Sequence, residues 1–406
     1  MSIQTKNVIL LTIDALRKDM LGCYGNDKHL APFLDSIQDK CIRFLRAQAT
    51  GPYTQASFPG ILTSSYYLEY GKPTTRLSTK RTMVSEVLKK GGITTAGFHS
   101  NPYLSANAGW GRGWDIFYDS MEDEVEPMLP YIKGDKVNEK VINWLSSHVG
   151  AGDYKPFFLW VHYMDVHEPY VPERQFVDMV YPSLDLSKEA MFELFKNYVI
   201  RQNVSNPEKV QLLKQLYEIQ VKEVDTYVET LFKALEDQGV LKDSIVIITS
   251  DHGDEFNEHG GLSHQDKMYS ELIDTPLFIY GAGQTGVCDS LVSNVDISPT
   301  IAYLFGTKQA DNWEGHSLLP LEEFPQKGCF GEALFHIRRK GPDLERDVYF
   351  YREDDLKTIY RAGLDSWEMY NLKDDPHEIT NIVDTDPKAE EMKAILKRRA
   401  RRWLNS

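Results

Sequence analysis

The residues best suited to chemistry in this chain are an aspartate and a histidine in succession, Asp251 and His252, within Thr249-Ser250-Asp251-His252-Gly253-Asp254-Glu255. An apolar run precedes them and a glycine follows, so the pair belongs at the end of a strand. There it offers a carboxylate oxygen and an imidazole nitrogen to one cation. A capping aspartate beside a surface histidine has the same spelling. Asp14 tips the balance, because it closes another apolar run, Asn7 to Ile13, and a second strand-end carboxylate suits the same hard or borderline cation.

Other groups gather around these three in the sequence. Trp160 to Tyr170 follows a strand-like run and puts His162, Asp165 and His167 on one loop. An imidazole there would protonate a leaving group. The competing reading is a hydrogen-bonded structural histidine, above all for His162, which is expected to point partly into the fold; His167 is the better functional candidate. His264 and Lys267 are placed to set positive charge against the equatorial oxygens of a phosphoryl group. A polar surface loop is the alternative for them and for His259. His99 and Asn101 end a further strand and are expected to line the pocket, although the asparagine, before Pro102, also suits a turn.

Strands must deliver these residues. Thr94 to Phe98, Phe157 to His162 and Ser244 to Ser250 repeat the grammar of Asn7 to Ile13, a continuous apolar run ending in polar residues. Helical patterns lie between them, including Glu208 to Gln238, with Leu212, Leu216, Ile219, Val224, Val228, Leu231 and Leu235 on one face. Alternation of this kind implies an α/β fold: a mostly parallel sheet with helices on both faces and ligands at the carboxyl ends of the strands. After about Leu319 short β-like pieces take over (Val348 to Tyr351, Thr358 to Arg361, Trp367 to Leu372), closed by a helix from Pro387 to Trp403. They predict a small α+β subdomain. Pro182 to Asn206 reads as an insertion.

Composition narrows the field. A chain of 406 residues with 42% hydrophobic and 26% charged residues is ordinary globular material, long enough for two packed units. A net charge of −15 argues against a nucleic-acid partner. The basic cluster Lys397 to Arg402 sits on the last helix and reads as a solvated face. No apolar run nears the roughly 20 residues of a membrane span. No secretory signal is visible, and four scattered cysteines suggest free thiols, so the expected location is the cytoplasm.

Ile13 to Gly25 (Ile-Asp-Ala-Leu-Arg-Lys-Asp-Met-Leu-Gly-Cys-Tyr-Gly) resembles the opening motif of the sulfatase family, within the alkaline phosphatase superfamily. Further likenesses follow in order. Gly51 to Ser57, leading into Ile61-Leu62-Thr63-Ser64, resembles the family's nucleophile segment. His162 to Tyr170 resembles its His-x-x-Asp-x-His-x-Pro-Tyr segment. Thr249 to His252, with Gly260 to His264 and Pro276 to Gly281, resembles the second metal segment. Val295 to Thr300, Glu368 to Leu372, and Asp375-Pro376-His377-Glu378 with Asn381 resemble later signatures. The resemblance implies an alkaline-phosphatase-like catalytic domain over residues 1 to 320, a C-terminal subdomain over 321 to 406, and a small anionic ester as substrate.

The departures bear on the reaction. Sulfatases proper oxidise a Cys or Ser, in Cys-x-Pro-x-Arg, to formylglycine; here Thr54 stands at that position, with Ala56 for the proline and Phe58 for the arginine. Threonine cannot become that aldehyde. The likeness is therefore to phosphate-handling relatives such as nucleotide pyrophosphatases and phosphonate hydrolases, in which a metal-activated Thr attacks phosphorus. It implies Asp14, Thr54, Asp251 and His252 as metal ligands. Ser57 is the competing nucleophile, and either hydroxyl could simply cap the helix beginning near Ser57. Ala15 replaces a further ligand Asp and His252 an Asn of many sulfatases, which favours Mn²⁺ or Zn²⁺ over Ca²⁺ or Mg²⁺. A second metal, on Asp165, His167 and His264, is the two-metal variant. Three alternatives accompany this reading: a sulfatase using unmodified Thr, a phosphotransferase, and an inactive binding member of the family.

Overall fold

The segment Asn7–Ile13 forms β1, buried along its whole length at the centre of a nine-stranded sheet. The computed structural model describes residues 6–70, 76–150, 154–265, 267–325, 328–334 and 347–404, without the side chains of Glu122 and of 401–404. The other strands of the large sheet are β2 (Cys41–Gln48), β3 (Thr94–His99), β4 (Ile116–Asp119), β5 (Phe157–Tyr163), β6 (Ser244–Ser250), β9 (Asp274–Thr275), β10 (Leu277–Tyr280) and β11 (Gly286–Ser293). A two-stranded ribbon joins β7 (Glu255–Phe256) to β8 (Leu262–Ser263), and a four-stranded antiparallel sheet comprises β12 (Cys329–Leu334), β13 (Asp347–Glu353), β14 (Leu356–Arg361) and β15 (Ser366–Asn371). The helices are α1 (Pro32–Ser36), α2 (Thr54–Thr63), α3 (Val84–Lys90), α4 (Gly134–Val149), α5 (Arg174–Val180), α6 (Lys188–Leu194), α7 (Pro207–Asp237), α8 (Ser270–Ile273), α9 (Ile297–Leu304) and α10 (Ala389–Leu404).

The large sheet runs β11-β2-β10-β6-β1-β5-β3-β4, and only β9 and β10 oppose the common direction. Both faces are covered, which is why β1 is apolar at successive positions. Ile9, Leu11 and Ile13 pack into one core with residues of α1, α4 and α7, while Val8 and Leu10 pack into the other with residues of α2, α3 and α9. Registers of Ile13 with Tyr163 and with Ser250 bring the carboxyl ends of β1, β5 and β6 level. Asp14 and Asp251 thereby emerge side by side.

The small sheet is a sandwich filling. Tyr349, Tyr351 and Met369 on one face meet Met392, Leu396 and Ala400 of α10. Val348, Phe350, Ile359 and Tyr370 on the other meet Tyr53, Ala56, Met268, Tyr269, Leu272 and Ile273. The second face therefore lies against the start of α2 and against α8.

The mostly parallel sheet, its helices and the later antiparallel sheet agree with expectation; three details differ. β2 carries no apolar run, because Arg43 and Arg46 interrupt it on a half-exposed strand near the sheet edge. The 182–206 insertion contains α6 and a short π-helical turn, Phe195–Val199. The basic cluster on α10 is not simply solvated: Arg399 lies 3.9 Å from the Tyr66 ring centroid and Lys397 5.3 Å from that of Trp367. The side chains of Arg401 and Arg402 are outside the described residues. Among the described residues no helix is long and apolar enough to cross a membrane.

Candidate active site

Asp14 leaves β1 with its N–H donated to the carbonyl of Tyr163 (2.8 Å), and the next residue, Ala15, takes a left-handed φ of 58°. That conformation costs a non-glycine residue roughly 1 kcal/mol. It is held by two bonds: the Ala15 N–H donates to Asp251 Oδ1 (3.2 Å) and the Tyr217 hydroxyl of α7 donates to the Ala15 carbonyl (2.8 Å). Asp251 Oδ1 also accepts the His252 N–H (3.0 Å). One oxygen of Asp251 is thus committed to backbone and the other is not.

Three ligand-type atoms remain. Asp14 Oδ1, Asp251 Oδ2 and His252 Nε2 are fully buried and without hydrogen-bond partners among the described residues. His252 Nε2 stands 3.4 Å from Asp14 Oδ1 and 3.5 Å from Asp251 Oδ2. Two ligand atoms each about 2.1 Å from a tetrahedral cation stand about 3.4 Å apart, so the donor set fits a metal ion by type and by spacing. His252 donates Nδ1–H to the Gly253 carbonyl (3.0 Å), which leaves Nε2 with a lone pair. Burial and the neighbouring His264 push its pKa down to about 4, keeping the ring neutral. Burial and the charge of Asp14 push Asp251 up to about 7. Burial opposes the charge of Asp14 as well, but His167, His162 and His252 outweigh it and hold that carboxyl well below the usual range.

Thr54 is the first residue of α2 and is 2% exposed. Its hydroxyl donates to Asp14 Oδ2 (3.3 Å) and accepts from Asn101 Nδ2 (3.4 Å), which also donates to Asp14 Oδ2 (2.8 Å). Asn101 does make the turn anticipated for it, accepting the Tyr103 N–H at Oδ1 (2.9 Å). Helix α2 begins three residues earlier than expected, at Thr54, and its N-cap residue, Tyr53, makes no side-chain cap bond. Ser57 is differently engaged: its hydroxyl donates to the Asp251 carbonyl (2.6 Å) and accepts from Asn294 (3.0 Å). Those bonds engage both the proton and a lone pair of the Ser57 hydroxyl.

The histidines sort into three environments. His162 is fully buried behind Asp14, with Nδ1 2.9 Å from Thr12 Oγ1 and Nε2 3.2 Å from Asp14 Oδ2. It reaches the site through the Asp14 carboxylate. His99 is also fully buried, packed near the rings of Phe117 and Trp160 and held down to about 3 by burial; it lines no open pocket. His167 and His264 lie on the outer side, their ring centroids 4.8 Å apart, and His264 is 4.4 Å from His252. His167 Nδ1 donates to the Glu168 carbonyl (2.6 Å). Burial works against its charge, yet Asp14 and Glu168 raise its pKa. For His264 burial is likewise overcome, by Glu168 and Asp254, and the ring is pushed up to about 10; its Nδ1 is 2.8 Å from Asp254 Oδ1.

Two further ligand groupings share these residues: His167, Glu168 and His264, and His252, Asp254 and His264. Asp165 is in neither. Its Oδ1 accepts the N–H of Gly134 (3.0 Å), at the start of α4. The carboxylates in those groupings are Glu168 and Asp254, both inside motifs already singled out. Lys267 donates to both Glu255 oxygens (3.0 and 2.7 Å) and to the His259 carbonyl (2.7 Å), which uses its three protons. It ties the Glu255 and His259 segments together.

Comparisons with known proteins agree with this architecture. The family model described as Sulfatase matches residues 6–307, and that described as N-sulphoglucosamine sulphohydrolase, C-terminal, matches 257–405. The N-acetylglucosamine-6-O-sulfatase of Bacteroides thetaiotaomicron is 24% identical over 96% of this chain and 85% of its own. Arylsulfatase K of Gallus gallus is 30% identical over 43% of this chain and 34% of its own. Among solved structures, one in complex with its substrate D-glucosamine-2-N,6-O-disulfate superposes with a TM-score of 0.82, 20% identity and 99% coverage of both chains. The phosphonate monoester hydrolase of Agrobacterium radiobacter gives 0.75, 18% identity, and 98% and 96% coverage.

Proposed function

The chain belongs to the sulfatase family, and from that premise we propose that it is a metal-dependent hydrolase of small anionic esters, phosphate or phosphonate, with the hydroxyl of Thr54 as nucleophile. The observation that carries this reading is the position of Thr54: a buried hydroxyl at a helix N-terminus, 3.3 Å from Asp14, beside three buried and unpartnered ligand atoms. Asp14, Asp251 and His252 would hold one divalent cation, which when bound supplies Lewis-acid polarisation of the ester and of the nucleophile. The nitrogen in the donor set favours Mn²⁺ or Zn²⁺ over Ca²⁺ or Mg²⁺. The overlapping groups around His264 would hold a second only with that ring neutral, the second cation then replacing the charge of His264.

Asn101 and Asp14 Oδ2 fix the Thr54 oxygen for in-line attack on phosphorus, and the hydroxyl gives up its proton to water as the bond to phosphorus forms. The N-terminus of α2 and the His264 cation stabilise the charge that accumulates on the ester oxygens. His167, with its Nδ1 proton committed to a carbonyl, gives its Nε2 proton to the departing alcohol. The neutral imidazole then takes a proton from water, which attacks the phosphorus and breaks its bond to Thr54 Oγ1, and that oxygen takes a proton from a second water to restore the hydroxyl.

The test is metal analysis of the purified protein, then hydrolysis of p-nitrophenyl phosphate, bis-p-nitrophenyl phosphate, phenylphosphonate esters and p-nitrophenyl sulfate with Mn²⁺, Zn²⁺ or Ca²⁺. Thr54→Ala is expected to cut turnover of the preferred phosphorus ester by more than about 10³-fold with unchanged secondary structure. Full turnover by that variant would remove Thr54 from the mechanism. A second reading, sulfate esters cleaved by unmodified Thr54, is favoured by the N-sulphoglucosamine sulphohydrolase match over 257–405. Preference for the sulfate ester would select it.

A further inference from the structure

The Asp375-Pro376-His377-Glu378 segment has no part in the reaction above, yet it is elaborately fixed. Asp375 accepts the N–H groups of Ile379 (3.2 Å) and Thr380 (2.8 Å), and Asn381 ties the turn to β15 through the Met369 N–H (2.9 Å) and the Trp367 carbonyl (3.2 Å). Glu378 adopts a left-handed φ of 53°, a conformation that disfavours a side chain. The result is inversion of exposure: Glu378 is 2% exposed while the next residue, Ile379, is 71% exposed. A charged side chain is driven inward and an apolar one is left outside.

What Glu378 meets inside is the loop that carries the outer histidine. Its Oε1 pairs with buried Lys357 (2.5 Å) and its Oε2 accepts the N–H of Ser270 (2.6 Å), which opens α8. Two residues on, the Leu272 carbonyl of α8 accepts the N–H of Gly253 (2.8 Å), directly after His252. The fit there is close, since a Cβ on Gly253 would stand 2.2 Å from the Glu271 carbonyl oxygen. The main-chain oxygen of Glu378 lies 3.3 Å from His259 Nε2, whose ring stacks on Tyr269 at 3.6 Å and whose Nδ1 is 2.6 Å from Glu271. Tyr269 in turn donates to Glu368 of β15 (2.7 Å). The loop from Gly253 to Glu271, with His264 within it, is thus pinned by the C-terminal sheet.

We propose that Glu378 is a positioning residue for the active centre, setting through Ser270 and α8 where the His264 loop stands. The inference rests on the reading of His264 as part of the working site. It assigns the small sheet a task in the reaction beyond covering apolar surface.

Glu378→Gln and His264→Ala are made singly and together in the full chain, with Lys357→Met/Glu378→Gln as a charge-free pair in case the single change leaves Lys357 too costly to fold around. On the preferred ester, loss of Glu378 is expected to lower kcat about 10-fold with little change in KM, as for groups that orient a metal site. In the His264→Ala background it should lower kcat less than about 2-fold, because effects routed through one residue do not add. Hydrogen exchange of amides 254–273 should accelerate while that of β1 stays unchanged. An undiminished 10-fold loss in the His264→Ala background, or unaltered exchange in 254–273, overturns the proposal. If no ester is turned over by the wild type, the function proposed above fails, and the exchange measurement alone decides the brace.

Discussion

Two regions of this molecule are equally buried and oppositely satisfied. At the carboxyl ends of β1 and β6, Asp14, Asp251 and His252 are fully buried, and each keeps a polar atom without a partner. At the seam between the two sheets, Lys357 and Glu378 are as deep, but the carboxylate meets an ammonium and a backbone N–H. A buried polar atom left unpaired costs stability, and pairing offsets part of that cost. The first region therefore holds capacity in reserve for a cation, whereas the second holds the fold to the site.

The largest expected effect breaks the first region. Asp251→Asn keeps the oxygen that accepts from Ala15 and His252 and loses the second carboxylate oxygen. Turnover should fall by at least about 10³-fold, as for removal of a central catalytic group. The metal-free protein should become more stable. Asp251 has a folded pKa of about 7, above its ordinary 3.8, so the folded state prefers its protonated form. Its ionisation erodes stability as pH rises through that interval, and the amide escapes the loss. At pH 8 in chelator, a lower Tm for Asp251→Asn than for wild type would show that this region is no reserve at all.

Next in size is the paired region. Lys357→Met leaves Glu378 buried and alone, at a cost of about 3–5 kcal/mol. Chemical denaturation should show it, and the double change Lys357→Met/Glu378→Gln should recover most of the loss. A cost below about 1 kcal/mol would make the seam an ordinary surface contact.

The two regions were unequally legible in the sequence. Strand-end Asp14, Asp251 and His252 could be read because buried parallel strands are continuous apolar runs, and a polar residue closing one is conspicuous. The bonds made by Ser57 and Lys267 were not legible, for a common reason. Their bonding partners, the carbonyl of Asp251 and the carboxylate of Glu255, depend on chain reversals that residue type does not encode. Glu378 was noticed as part of a signature, but its inward turn follows from a left-handed backbone that a Pro-His-Glu spelling does not announce. β2 was missed because a strand near a sheet edge needs no apolar run.

A smaller effect sharpens the boundary within α2. Ser57→Ala removes one bond to the Asp251 carbonyl and one from Asn294, and should cost about 1–2 kcal/mol of stability. Turnover should change less than about 10-fold. A loss matching that of Thr54→Ala would return Ser57 to the chemistry.

The smallest effect is expected from pH, at the hinge between the two regions. His259 has acceptors at both ring nitrogens, Glu271 and the Glu378 carbonyl. Burial lowers its pKa, but these acceptors outweigh it and the net shift is upward from 6.5. A raised folded pKa means that the protonated ring stabilises the fold fully below about pH 6.5, and that this contribution fades as pH climbs through the folded value. The His264 loop should then loosen in alkaline solution while β1 does not. Hydrogen exchange of amides 254–273 at pH 6 and pH 9, corrected for intrinsic rates, should show protection falling more in the loop than in β1, with the difference abolished in His259→Gln. Equal loss of protection in both segments would mean that the seam does not respond to the protonation of His259, and that Glu378 and Lys357 hold the loop without its help.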